Sequence, residues 1–570
     1  MKLTKIILIT ALALALLPTS GNAEPALRPA LATPEVKINA PHVTAPPEAF
    51  FQMIENRVKN PPRFGRGRRG GNTNEPSAQP QALSAEQVAK EMAIYRNFYK
   101  KFIDVKGMPV AASGEVADLA LQRTYDIVTH MLAGRPDIIQ AMVSNRMYLI
   151  VIGKSQLYTD MPEYRNSPNP EFQNERVRGT GGNPTSFGEE NLLSLPIDRY
   201  DDESIGVHEF CHTIDSALRR IDPTWEERRT AAWQNVRDKG LWDHVYAGSN
   251  PGEYWAEIAQ SYFDCNRINN WNHGPSGYRE QLKVYDPIGY ELCRSVFNLS
   301  PTNDWRYSWL QKLPKVSAPP TTPMFKNIDP WYTKFTWARE FTVVGRGASD
   351  EALLQANETI RRMFAYRHDL VKALMADGLK LVVLGPRESI ADLPEYKKLA
   401  DKSKVDHTLR FLAYTPEMKL LVVDQKNVLA NPRAMYVGDN QVIRVMAYAA
   451  YKVAGTRPAN PNYRGNQQYE LYVKRLDENF DKSVAALYEK AVAGKKWKGS
   501  SASADKFNYW ASGVLAYFDA TGQDDAPNDY PSTVNTREKL KEYDPDLFAL
   551  VNETMAYETK VDWRYVPYRP

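Results

Sequence analysis

The residues of this chain best placed to do chemistry are two histidines and a glutamate in GVHEFCHTID, Gly206 to Asp215. On a helix, His208 and His212 lie one turn apart on one face, the spacing at which two imidazoles can hold one tetrahedral metal ion. Glu209 sits beside that face and can reach a water on the metal without taking a ligand position, the H-E-x-x-H arrangement. A surface helix that merely carries two histidines is the competing reading. Asp215 is on the metal face, one turn beyond His212. It could orient a ligand imidazole, or it could be a solvated or helix-bound carboxylate.

Two imidazoles need a third ligand, and YAGSNPGEYWAEIAQSYFD, Tyr246 to Asp264, offers candidates. Asn250 reads as a helix cap and Pro251 as the first helical residue. Beyond them Glu253, Glu257 and Gln260 share one face, so two carboxylates point away from the core together. Glu253 also stands three residues after the cap, where it could close a capping box instead.

Both helices have independent reasons to form. Val207, Phe210, Ile214, Ala217, Leu218 and Ile221 make an apolar stripe opposite the histidines, with Cys211 at its edge as a packed thiol. Trp255, Ile258, Ala259 and Tyr262 do the same for the second helix. Upstream, Ser84 and Gln87 predict a capping box at the start of a helix. MYLIVIG, Met147 to Gly153, reads as a strand, and NLLSLPI from Asn191 as a second one. The glycine-rich stretch Gly179 to Pro196 is read as a loop and core strand that could border the cleft. An edge strand there could pair with an extended peptide.

An internal repeat organises the chain. Gly134 to Tyr164 aligns without gaps to Tyr366 to Tyr396, REQLKVYDP from Arg279 matches REKLKEYDP from Arg537, and DWRY recurs at Asp304 and Asp562. The expected plan is a signal peptide at 1–23, a flexible Pro/Gly/Ala-rich leader at 24–83, a first domain at 84–312, a Pro-rich linker at 313–324 and a second domain at 325–570. Each domain is expected to be α+β and mostly helical, with a small sheet beside the metal helix. In the second copy, Met446, Ala447 and Ala450 align with His208, Glu209 and His212. Asn508 and Ser512 align with Glu253 and Glu257, while Tyr509, Trp510 and Ala511 keep the core. The polar candidates vanish together, as expected if they serve one metal.

HEFCH, followed by Tyr246, Asn250, Glu253, Tyr254, Trp255, Ala256 and Glu257 in the register Y-x-x-x-N-x-x-E, resembles the anthrax lethal factor-like zinc metallopeptidases, a family that includes Pro-Pro endopeptidases. The resemblance covers the first repeat well and the second only as scaffold. It implies a zinc ion held by His208, His212 and Glu253, with Glu257 behind the ligands. It also implies Glu209 as general base and Tyr246 as the residue that meets the developing oxyanion or leaving group. Peptides or proteins would be the substrates. Two other readings stay open: a non-catalytic peptide- or surface-binding protein, and a zinc hydrolase acting on peptidoglycan cross-links.

Composition bounds these readings. With 43% hydrophobic and 25% charged residues, the chain has the make-up of a soluble globular protein, and a net charge of +4 over 570 residues singles out neither nucleic acid nor membrane as partner. Lys2 and Lys5 precede an apolar run ending at Leu17, and small residues follow to Ala23, the pattern of a cleaved export signal. Secretion or a periplasmic location is therefore expected, with no integral membrane segment. The cluster Arg63, Arg66, Arg68 and Arg69 is read as part of a solvated leader. Cys265 and Cys293 could pair in an oxidising compartment, or all three cysteines could be buried thiols. His244, two residues before Tyr246, is a structural histidine or a neighbour of the site.

Overall fold

The apolar run at Met147 to Gly153 forms strand β3 (Leu149–Ile152), whose four side chains are all buried. In the computed structural model it is the central strand of a five-stranded sheet. The structure describes residues 38–60, 83–200, 203–267, 272–307, 315–321, 325, 327–434, 439–459, 474–522, 534–556 and 563–568. The proposed signal segment, the arginine cluster of the leader and both ends of the Pro-rich linker lie outside the described residues.

Strands β1 (Tyr99–Val105) and β2 (Met108–Ser113) form an antiparallel hairpin. Strands β2, β3 and β5 (Thr185–Gly188) run parallel, and the short β4 (Gly179–Thr180) closes the edge antiparallel to β5. A second sheet has the order β6 (Lys334–Ala338), β7 (Phe341–Gly345), β8 (Lys380–Leu384), β9 (Leu420–Asp424), with the same hairpin followed by two parallel pairings. A single bridge from Leu412 to Val422 stands where β4 would be. The rest is mainly helix, so the fold is α+β and mostly helical. No helix among the described residues is long and apolar enough to cross a membrane.

Two expectations fail for clear reasons. NLLSLPI is not a strand: Glu189–Leu192 form a helical turn, and the Asn191 side chain is spent on backbone contacts, donating to Glu203 O and accepting from Ile205 N. The leader is not structureless throughout. Helix α1 (Glu48–Lys59) buries Phe50, Phe51 and Ile54 against Tyr99, Phe102 and Tyr148. The spacing of Phe50 and Ile54 puts both on one face, and burying side chains of this size contributes about 1.5–3 kcal/mol each. Glu48 also accepts two hydrogen bonds from Arg96 of helix α2 (Ala85–Phe98), at 2.5 and 2.8 Å. Ser84 and Gln87 form the expected capping box at the start of α2.

The helix carrying the histidines spans Ile205–Ile221 and is capped by Ser204, whose hydroxyl accepts from Val207 N. Val207, Phe210, Ile214, Ala217 and Leu218 join one core with Trp255, Ile258 and Ala259 of the helix Pro251–Tyr262. Ile221, at the C-terminal end, is 41% exposed and lies outside the stripe. The Trp255 indole donates to Cys211 O at 2.8 Å and pins the two helices together. Cys211, Cys265 and Cys293 are all buried free thiols.

Candidate metal centre

Because Trp255 fixes the two helices, Glu253 at the start of one faces His208 and His212 in the middle of the other. His208 Nε2 and His212 Nε2 each lie 3.2 Å from Glu253 Oε2 and 3.3 Å from each other. A tetrahedral zinc with ligand distances of about 2.0–2.1 Å sets its donors about 3.3 Å apart. The triangle therefore has the edge length such an ion requires. Asn250 caps this helix with its own side chain, which accepts from Gly252 N and Glu253 N, and Glu253 does not close a capping box. The Glu253 carboxylate is turned to the histidines instead.

The imidazole of His208 is oriented from behind. Gln260 donates through Nε2 to Ser204 O at 3.0 Å and to Glu203 Oε2 at 3.3 Å. Its Oε1 is left to accept from His208 Nδ1 at 2.9 Å. With the amide oriented this way, Nδ1 carries the proton and the Nε2 lone pair faces Glu253 and His212. Glu257 Oε1 lies 3.6 Å from the same Nδ1, and its Oε2 accepts from Asn266 at 2.9 Å. Gln260 shares a face with Glu253 and Glu257 in the sequence, yet nothing in the pattern assigns it this role.

Asp215 does not orient an imidazole. Its carboxylate accepts from the Trp225 indole at 2.7 Å and from Arg229, and pairs with Arg219 at 3.1 Å. It ties the helix Trp225–Asp238 to the histidine helix, and a buried carboxylate with three donors has little left to offer a ring. His244 pairs with its neighbour Asp243, Nε2 to Oδ2 3.0 Å.

Tyr246 opens a short 3₁₀ turn just before the second helix, its ring stacked 6.1 Å from that of His208. Burial, and next the adjacent Glu253 carboxylate, to which its hydroxyl hydrogen-bonds, push its ionisation well above the ordinary range. The group is therefore a neutral hydrogen-bond donor at any ordinary pH. Burial raises Glu209, while His208 and His212 pull it back toward the charged form. Burial opposes ionisation of Glu253 as well, but its hydrogen bonds to both histidines prevail and hold it well below its usual value.

A second acidic group lies deeper. Glu203, Glu257 and His273 are all buried with their ligand-type atoms close together. Here the neighbours satisfy the charge: Glu203 lies 3.5 Å from Arg267 and 3.3 Å from His273, and accepts from Gln260. The group supports the ligand helices from behind.

The glycine-rich stretch lies directly on the histidine helix. A Cβ on Gly181 would stand 2.4 Å from His212 Cβ, so no other residue fits there without displacing the helix or the loop. The Gly181 N–H faces the Glu209 carboxylate and favours its charged form. Thr185 of β5 bonds to Thr213 of the histidine helix.

The second half keeps this framework and changes its polar face. Asn440 caps the helix Gln441–Ala450 by accepting from Ile443 N, and Asn427 accepts from Gln441 N as Asn191 does from Ile205 N. These bonds set the register two residues away from the sequence alignment. Arg444, Val445 and Tyr448, rather than Met446, Ala447 and Ala450, stand opposite His208, Glu209 and His212. Arg444 donates to Asp439 and, at 3.3 Å, to Ser501. In the second helix (Lys506–Tyr517) Asn508 donates to its own cap, Asp505, at 2.9 Å.

No protein-family model and no curated protein matches the chain. Among solved structures, the comparison finds the PRO-PRO endopeptidase (PPEP-2) from Paenibacillus alvei, at 18% identity and a TM-score of 0.24 over 34% of this chain and 97% of that one. At that TM-score the likeness is weak, and the site's chemistry rests on its own geometry.

Proposed function

We propose that the chain is an exported zinc-dependent endopeptidase whose first half is active and whose second half is a degenerate copy of it. The observation that carries this is the triangle of His208 Nε2, His212 Nε2 and Glu253 Oε2, with sides of 3.2 to 3.3 Å. Gln260 supports it by fixing the tautomer of His208 in the ligating form. Bound there, zinc would supply a Lewis acid that raises the acidity of a water and polarises a carbonyl. Glu209, beside the triangle, would take the proton of the attacking water and pass it to the leaving amine. The Tyr246 hydroxyl would donate to the oxygen on which charge develops, a contribution of about 3–4 kcal/mol for one well-placed donor. Among the described residues β4 pairs only with β5, which leaves its outer edge to an extended peptide.

The experiment is to purify the exported chain, measure bound zinc, and compare wild type with Glu209→Gln on a diverse peptide library. About one zinc per chain, with cleavage lost in the variant and zinc retained, is expected. A metal-free chain that cuts nothing overturns the reading in favour of a non-catalytic binding protein. A zinc-loaded chain that cuts only cross-linked peptidoglycan fragments moves the substrate there.

A further inference from the structure

Helix α1 reaches the active-site loop through one side chain. Arg57 donates from Nη1 to Asn183 Oδ1 and from Nη2 to Asn183 O, both at 2.8 Å, while its guanidinium lies over the Tyr148 ring at 5.2 Å. Asn183 belongs to the turn Gly181-Gly182-Asn183-Pro184 that joins β4 to β5. The front of that turn touches the candidate centre: Gly181 packs on His212 Cβ and on Glu209 O. Its back is held by Arg57, by Asn183 donating to Asn145 O at 3.2 Å, and by Thr185 donating to Gly182 O at 2.8 Å. Among these, only Arg57 supplies two bonds at once, in the planar fork that suits a side-chain and a backbone oxygen together.

The anchor behind Arg57 is itself rigid. Phe50 packs edge-on against Phe51, Tyr99 and Tyr148 at centroid distances of 5.4 to 5.9 Å. Just before α1, Thr44 exchanges two backbone hydrogen bonds with Phe102 of β1, at 2.9 and 2.8 Å. The segment ahead of the first domain is thus bound to the sheet at one end and to the loop at the other.

We propose that Arg57 is a positioning residue of the peptidase site: α1 uses it to press the 181–184 turn against His212 and Glu209. The inference rests on the peptidase reading for its catalytic part and on geometry alone for its hold on the loop. Reactive groups in such sites tolerate little misplacement; a shift of about 1 Å can cost on the order of 100-fold in rate. A turn with two glycines has little stiffness of its own, so its external bonds set its position.

The test uses the full-length, zinc-loaded chain and its Arg57→Ala, Arg57→Lys and Asn183→Ala variants. Arg57→Ala should lower kcat by about 10- to 100-fold and leave KM within about twofold and the zinc content unchanged. Hydrogen exchange should quicken in the peptide spanning 179–187 while the histidine helix stays protected. Arg57→Lys, with one charged donor instead of a fork, should recover part of the rate. Adding Asn183→Ala to Arg57→Ala should cost less than the two separately, because both remove the same bond. Wild-type kcat and exchange in Arg57→Ala would overturn the proposal, as would a fall in rate matched by an equal loss of folded, zinc-bound chain. If the wild type cuts no peptide, the peptidase reading fails, and the exchange measurement alone decides whether Arg57 holds the loop.

Discussion

The histidine helix at 205–221 and the helix at 441–450 begin in the same way, with a side-chain cap at the third amide and an asparagine receiving the first. Behind them the same clasp recurs. Trp242 and Tyr254 both donate to Asp286, at 3.0 and 2.7 Å, and Trp497 and Tyr509 both donate to Asp544, at 2.9 and 2.8 Å. The polar face of the two helices differs: His208, Glu209, His212, Glu253 and Gln260 have Arg444, Val445, Tyr448, Asn508 and Leu515 as their counterparts. The fold needs the caps and the clasp, and stands without the ligands. The framework itself therefore does not call for His208, His212 and Glu253 in the first half.

The largest expected effect separates the halves most directly. Glu253→Ala should lose zinc and turnover together, whereas Asn508→Ala at the matching position should leave both intact by metal analysis and peptide assay. Next come the clasps. Asp286→Ala and Asp544→Ala each strand two buried donors and should each cost about 2–4 kcal/mol in urea unfolding; a loss in one half only would break the equivalence. Gln260→Leu, which installs the residue of the second half, should weaken zinc binding about 10- to 100-fold in a chelator competition without unfolding the chain.

The smallest effect concerns acid. Burial, reinforced by Lys372, Arg339 and the first half's Arg267, lowers His368 from 6.5 to about 4 despite Glu340. The folded state therefore binds fewer protons than the unfolded state between these values. The stability this holds is complete above pH about 6.5 and is lost as pH falls toward about 4. His368→Gln should flatten that part of the Tm profile. Pro136 stands at the matching place of the first half and offers no such titration.

Much of the site was legible because it is local. The H-E-x-x-H turn, the Asn250 cap and the shared face of Glu253 and Glu257 each follow from helical spacing. What was missed depends on contacts between distant segments. The two-residue error at Arg444 arose because the connection from β3 to β5 and that from β8 to β9 differ in length, so the repeat ending at Tyr164 and Tyr396 does not carry its alignment through to this helix, and the caps define the true register. Asp215 shares the face of the histidines, but its partners Trp225 and Arg229 come from the next helix. Helix α1 was hidden by its Pro-rich flanks, although Phe50 and Ile54 mark it.

Arg444 has a further consequence. Its guanidinium brings a permanent positive charge to the place held by the first imidazole, beside Asp439. The first half instead sets Glu209 and Glu253 beside two histidines, and on the proposed reading takes its balancing charge from solution. An ion held only by the folded state stabilises it by mass action, about 4 kcal/mol at a thousand times its dissociation constant. Chelation should therefore split a single melting transition into two, lowering that of the first half and leaving the second in place. One half of this chain would then keep its fold in proportion to the zinc supply, while the other carries its counter-ion in its own sequence.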